Sequence, residues 1–246
     1  MKILVISLLA LISAGRIFAA DVASDFAAAN KFYAEGKFAD AANAYQTVLQ
    51  TGVQSPALLF NYGNAEFKLG NLGKAIAAYR KAELLSPRDD EIRANLNFVR
   101  NQVRGPAIRE SRWQEWLGAL SLNEWALLAA VAFWLLFLLL AAGQIRPAFV
   151  PKLKSATAIF AALTILSGAA LGVQAAEHFS NSTAVVTESQ ATARSGPFDE
   201  AQSAFTARDG TELAVLDQHG NWLQVSDGSG RIGWLPAKQV EVVPGA

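Results

Sequence analysis

The chain contains no cysteine. Disulfides, thiolate metal sites and a cysteine nucleophile are therefore excluded, and thiol usage says nothing about compartment. Histidine is almost as scarce. His178 and His219 lie in different segments with no carboxylate pair at ligand spacing, so we assign no metal and no cofactor. No grouping of His, Cys and Ser supports nucleophilic catalysis, and the scattered carboxylates of the C-terminal third read as a solvated face, so enzyme activity is not expected. An excess of positive charge is missing too. The 21 basic and 21 acidic residues cancel, and from Glu177 onward four basic residues face nine acidic ones, a net of −5. Phosphate neutralisation needs clustered Lys and Arg, so nucleic acid is excluded as a ligand of that region.

What the chain has in plenty is apolar sequence. Of 246 residues, 52% are hydrophobic, concentrated in three runs that leave room for two small folded units beside them. The first run, Ile3 to Ile12 behind Lys2, is too short to span a bilayer and reads as a secretory signal over residues 1–20. Cleavage after Gly15 would have small residues at −3 and −1, whereas cleavage after Ala20 would put Phe18 at −3 and Arg16 inside a longer apolar region, and an uncleaved anchor of this polarity would give the same topology. Residues 125–143 (Trp125 to Gly143) carry no charge, and at about 1.5 Å per residue they reach roughly 28 Å, the thickness of the hydrocarbon core. Residues 156–176 (Ala156 to Ala176) are a second such run. The loop between them, 144–155, holds Arg146, Lys152 and Lys154 and is expected to be cytoplasmic, with the flanking modules outside. Arg109 and Arg112, ahead of the first span, oppose that bias weakly. Thr164, Gly168, Gly172 and Ala176 recur every fourth residue, a small-residue face expected to pack the hairpin on itself. Trp113, Trp116, Leu117 and Leu120 predict an amphipathic interfacial segment over 105–124.

Residues 22–104 contain an internal repeat. Asn30 and Asn64, Gly36 and Gly70, Ala41 and Ala75, and Tyr45 and Tyr79 are each 34 residues apart, and Phe38 and Leu72 keep the register. This period, with Gly63, Gly70, Ala75, Tyr79, Ala82 and Pro87 in the second copy, resembles the tetratricopeptide repeat (TPR), a helix, tight turn and helix. Gly63 and Ala75 let helices approach, Tyr79 fills the gap between them, and Pro87 ends the second helix. Glu66 stands where the first copy has the aromatic Phe32, with Phe67 beside it, so that helix is expected to be rotated slightly. Residues 90–103 predict a capping helix with Ile92, Leu96 and Val99 on its apolar face. Two repeats and a cap fall short of the three usually needed, and membrane attachment or self-association is expected to make up the difference. The resemblance implies a concave peptide groove carrying Asn30, Asn61, Asn64 and Asn95, with Phe26, Phe60 and Phe98 supplying apolar contact. A carboxamide both donates and accepts, so such a row suits a peptide main chain of any sequence. A solvated polar face is the other reading of the same residues. Phe26 and Glu91 stand where a carboxylate-clamp groove would have two lysines, so internal or extended segments are the expected ligands.

From Ala184 to Pro244 the pattern changes to short alternating runs: AVVTE, TELAVLD, NWLQVS, GRIGWLP and QVEVV, parted by turns at Asp209-Gly210, His219-Gly220 and Gly228 to Gly230. Five strands in a small barrel are expected. Gly210, Trp222, Val225, Gly233, Trp234 and Pro236 in this order resemble the bacterial SH3 (SH3b) domain. That resemblance implies binding of peptides or cell-wall cross-bridges, with peptidoglycan as a candidate partner. Phe198 and Phe205, read as loop residues, are candidate contacts. Trp222 and Trp234 are candidates too, although each reads as core before ligand platform. Ala191 to Arg194 replace the aromatic-rich first strand of the proline-binding SH3 form, so polyproline recognition is not expected.

The whole is thus expected to be multi-domain: all-α TPR hairpins with a capping helix, a two-helix transmembrane hairpin, and an all-β SH3-like barrel. Signal, repeats, hairpin and barrel in this order resemble the BatE family of the bacterial aerotolerance (Bat) operons. That likeness implies an inner-membrane scaffold with both modules in the periplasm, von Willebrand A-type membrane proteins as partners, a MoxR-type ATPase on the cytoplasmic side, and a role in envelope stress tolerance. A cell-wall tether or sensor acting through the barrel is the alternative.

Overall fold

The computed structural model describes residues 22–103, 112–180 and 182–244. The expected signal segment, 1–20, and the start of the expected interfacial segment, 105–111, lie outside them.

Helix α1 covers 22–34. It is followed by α2 (Phe38–Gln50), α3 (Pro56–Lys68), α4 (Leu72–Leu85) and α5 (Asp90–Arg100). The local signals that delimit these helices are in the chain. Gly36 and Gly70 adopt φ of +75° and +82°, the left-handed turn between the two helices of each repeat, where a side chain would be strained. Ser55 accepts a hydrogen bond from the Leu58 N–H ahead of Pro56, and Asp89 accepts from Glu91 and Ile92, so α3 and α5 both start on a cap. Helix α4 stops at Leu85, just before Pro87. A Cβ on Gly63 would lie 2.8 Å from Tyr79 Cε1, so the glycine does make room for the tyrosine. Glu66, in the place of the first copy's aromatic, points into the protein. The carboxylate is buried, and Oε2 accepts from Asn71 Nδ2 at 2.6 Å across the turn, with Lys74 Nζ 3.9 Å from Oε1. Those partners make burial of its charge tolerable, while Phe67 stacks edge-on against Phe98.

The short helix α6 (Arg112–Leu117) precedes α7 (Leu122–Ile145), which opens on a capping box between Ser121 and Glu124. A 3₁₀ turn, Pro147–Phe149, leads into α8 (Val150–Ser180). Both long helices are long and apolar enough to cross a membrane, and almost nothing in the protein covers them. Their helical structure runs beyond the charge-free limits 125–143 and 156–176, so Lys152 and Lys154 stand at the start of α8 and the expected loop shrinks to a tight turn. Of the small-residue face, Thr164 is partly covered, but a Cβ on Gly168 or Gly172 would meet nothing within 4 Å. The less exposed residues of α8 include Thr157, Phe160, Thr164, Ser167, Leu171 and Gln174, at the alternating three- and four-residue spacing of a left-handed helix pair. Gln174 Nε2 donates to the Leu120 carbonyl at 2.9 Å, which brings the two free ends of the hairpin together.

The C-terminal module has seven strands where five were expected: β1 (Thr183–Val186), β2 (Gln190–Arg194), β3 (Ser203–Arg208), β4 (Glu212–His219), β5 (Trp222–Ser226), β6 (Ile232–Pro236) and β7 (Val240–Val243). They form one antiparallel sheet in the order β3-β2-β6-β5-β4-β1-β7. Side chains from all seven meet in a single core that includes Ala184, Ala191, Phe205, Leu213, Val225, Leu235 and Val240, which requires the sheet to curl on itself in the SH3 manner. Strands β2 and β3 escape sequence reading because their inward residues are mostly alanine, too small to mark an alternation.

Repeats and barrel are packed against each other. The inward face of β1 serves the barrel core, but Val185, pointing the other way, joins Val243 in a cluster with Ile76, Ala77, Leu96 and Val99 of the repeats. Asp209 accepts hydrogen bonds from the main-chain N–H groups of Leu72 (2.8 Å) and Gly73 (3.0 Å), capping α4 from the barrel. Glu212 holds Arg80 at 2.6 Å and Arg100 at 2.8 Å, and Lys81 pairs with Glu241 at 2.6 Å. Two modules in such contact share one side of any bilayer that the hairpin between them crosses.

Candidate functional site

The expected groove residues come together in two equivalent rungs. Asn30 Oδ1 accepts from the Tyr45 hydroxyl at 2.7 Å and from Asn61 Nδ2 at 2.9 Å. One period later, Asn64 Oδ1 accepts from the Tyr79 hydroxyl at 2.7 Å and from Asn95 Nδ2 at 3.3 Å. Each rung ties both helices of one repeat to the first helix of the next. The tyrosine hydroxyl, taken out of water, finds its partner within the rung. Burial raises the Tyr45 phenol to about 12 and Tyr79 higher still, so both remain neutral donors. All four asparagines are only partly buried. Among the described residues, no hydrogen bond uses Nδ2 of Asn30 or Asn64, or Oδ1 of Asn61 or Asn95. Each rung therefore offers a spare donor and a spare acceptor, the complement of a peptide's carbonyl and N–H.

The three phenylalanines divide. Phe26 packs on Tyr45 and Phe60 on Tyr79, with ring centroids 5.9 and 5.7 Å apart, as half-buried parts of the repeat cores. Phe98 breaks the period, since position 94 is alanine, and it is 58% exposed. Three residues after Asn95, it lies on the same helical face as the second rung.

On the barrel, Phe198 stands where the sequence reading put it, and the other three aromatic candidates do not. Phe205 is not a loop residue: it sits on β3, 5% exposed, in the core, with the Arg231 guanidinium 5.0 Å from its ring. Phe198 is an exposed residue of the β2–β3 loop. Trp222 and Trp234, read as core, are half-buried on the outer face, because Leu223, Val225, Gly233 and Leu235 take the inward positions. The register sets Trp222 opposite Pro236 and Trp234 opposite Gln224 and Arg194. A strip of two indoles, a proline and two polar side chains thus lies on β2, β6 and β5, away from the strands β1 and β7 that meet the repeats. Asp227 anchors the β5–β6 turn. Its buried carboxylate accepts from Ser229 and Arg231 main-chain and side-chain groups, and although burial pushes the other way these bonds pull its pKa down to about 2.

Sequence reading missed the junction, and took its acids for a solvated face. Asp209, Glu212 and Glu241 are bound to the repeats instead. A signal was present in the comparison of the two copies: Ala39, Asn43 and Gln46 of α2 are exposed, while their counterparts Gly73, Ala77 and Arg80 on α4 are buried. A Cβ on Gly73 would lie 1.9 Å from the Val186 carbonyl oxygen.

These modules define the chain as a repeat protein carrying a small β-domain: residues 26–90 match the tetratricopeptide repeat family and residues 187–241 the bacterial SH3 domain. Among curated proteins, the chain is similar to the uncharacterized protein YgiM of Escherichia coli K12, with 37% identity over 84 residues. The YgiM proteins of E. coli O157:H7 and Shigella flexneri match equally. The match covers 33% of this chain and 39% of YgiM.

Proposed function

We propose that the protein is a non-enzymatic, membrane-anchored scaffold of the bacterial inner membrane, with repeats and barrel together in the periplasm and the α7–α8 turn in the cytoplasm. The repeats hold an extended segment of a partner protein. The observation that carries this reading is the pair of Asn rungs: in each, a buried tyrosine hydroxyl orients one asparagine, which in turn holds the next, and the four partly exposed carboxamides keep main-chain hydrogen-bonding capacity in reserve. Phe98 adds an exposed apolar contact beside the second rung. The basic residues Arg146, Lys152 and Lys154 at the hairpin turn support the orientation. The order of modules favours a Bat-type envelope complex, with von Willebrand A-type membrane proteins as the partners. The test is co-purification from membranes of the source bacterium. The tagged chain should retain such a partner, and combined Asn61→Ala and Asn64→Ala should lose it; equal recovery by both would reject the groove.

The outer strip of the barrel favours a second reading, a tether to peptidoglycan. Two indoles beside Gln224 and Arg194 suit a ligand with both apolar and polar faces. Purified full-length protein in detergent should sediment with isolated sacculi, and combined Trp222→Ala and Trp234→Ala should abolish it. No sedimentation by the unaltered protein would count against the tether.

A further inference from the structure

The repeat stack ends abruptly. Helix α5 occupies the place of the first helix in a third repeat, since Asn95 follows Asn61 by 34 residues and makes the same bond to the preceding copy. Among the described residues, no second helix packs against α5 as α4 packs against α3. The turn glycines Gly36 and Gly70 predict a glycine at 104, where the chain has Arg104. A stack left open there would expose Ile76, Leu96 and Val99 to water, and terminal repeats need a cover with a polar outer surface.

The barrel supplies that cover, and its contacts are specific at four points. Val185 and Val243 close the apolar end of the stack. Asp209 takes the first N–H groups of α4, whose own N-cap residue, Asn71, makes no side-chain cap bond and instead donates from Nδ2 to Glu66. Glu212 joins Arg80 of α4 to Arg100 of α5, fixing the angle between the two helices. Gly210, at φ +81°, comes close enough to Val103 that a Cβ would lie 2.5 Å from its Cγ2.

We propose that the SH3 barrel is the C-terminal cap of the repeat stack, and that Glu212 is a positioning residue for the groove: through Arg100 it holds α5, and with it Asn95 and the second rung. The barrel acts on the repeats in cis, in the place where membrane attachment or self-association was expected to act. This goes beyond the scaffold reading and does not depend on it, because it concerns the free protein.

The absence of cysteine makes the test direct. In the full chain in detergent micelles, Lys81→Cys with Glu241→Cys, whose long parent side chains meet tip to tip, should be joined nearly quantitatively by a short flexible bis-maleimide that spans the space those side chains filled, whereas Lys31→Cys with Asp199→Cys, on α1 and the β2–β3 loop, should not. Glu212→Arg places three cations together and should cut the yield of the 81–241 crosslink at least tenfold. Hydrogen exchange should then accelerate at least tenfold across 90–100, with α1 and strands β5 and β6 unchanged. Restoring the charges in reverse, Arg80→Glu and Arg100→Glu with Glu212→Arg, should recover both. If Glu212→Arg fails to fold, Gly73→Leu, which blocks the approach of Val186, should give the same pattern without altering charge. A crosslink yield no better than the control pair, or undocking that leaves exchange in α5 unchanged, would overturn the proposal.

Discussion

The Arg100 guanidinium on the last helix of the repeats meets the Glu212 carboxylate on the barrel with Nε 2.8 Å from Oε2, although 112 residues and the apolar α7–α8 hairpin separate them in the chain. Arg80 meets the same carboxylate, so one acid from the barrel satisfies two cations from adjacent helices. Removing one member of a buried ion pair leaves the rest uncompensated and costs about 3 to 5 kcal/mol. Glu212→Ala should therefore destabilise the extramembrane unit by an amount of that order, measured by denaturant unfolding in micelles. Lys81→Ala, which removes the more exposed pair with Glu241, should cost roughly 1 kcal/mol or less.

The same carboxylate sets a pH dependence. Burial opposes its ionisation, but Arg80 and Arg100 outweigh burial and hold its pKa below the ordinary carboxylate range. A depressed pKa in the folded state contributes stability that is complete above the unfolded value, about 4.3 for Glu, and is lost as pH falls through the folded value. Asp209 has the opposite sign, since burial raises its pKa. Comparing the unaltered protein with Glu212→Gln isolates the first effect. The stability difference between them should be largest at neutral pH and shrink as pH falls below about 4, read as unfolding midpoints across a pH series.

Within the rungs, Tyr79→Phe removes only the hydroxyl that Asn64 accepts. It should cost about 1 kcal/mol. Gly63→Val, by contrast, forces a branched side chain onto the Tyr79 ring from a position already 2.8 Å away at Cβ, and overpacking of that kind costs about 1 to 3 kcal/mol. Thermal unfolding should rank the two in that order.

Much of this architecture was legible in the chain. A period of 34 residues located both repeats because Gly36, Gly70, Gly63 and Tyr79 each meet a steric demand that few other residues satisfy. The hairpin helices were legible because each carries a long charge-free run, but not how they pack: the stripe from Thr164 through Gly168 and Gly172 suggested one face, yet only Thr164 of those three is partly covered, together with Phe160 and Leu171. In the barrel, alternation identified β5 and β6 but not β2 and β3, whose alanines carry no signal, and it did not tell which side of β5 and β6 faced inward. The junction was hidden for a different reason. Asp209, Glu212 and Glu241 are ordinary surface residues by type, and only the tertiary fold brings them to α4 and α5.

Topology follows from the same contacts. Single cysteines at Gln50 and at Gln218, one in each extramembrane module and both exposed, should react alike with a membrane-impermeant maleimide added to intact spheroplasts. A cysteine in place of Lys152 should react only after the membrane is opened. Labelling of one module but not the other would be incompatible with their contact.

The groove is tested most directly by a photo-crosslinking side chain placed at Phe98, on the exposed face beside the second rung, and at Gln46, on the outer face of α2. Irradiation of living cells should give a discrete protein adduct from position 98 and none from position 46, and the adduct should disappear when Asn61→Ala and Asn64→Ala are added. Adducts from position 46 alone, or an adduct at 98 that survives loss of both asparagines, would contradict a partner held in the Asn-lined groove.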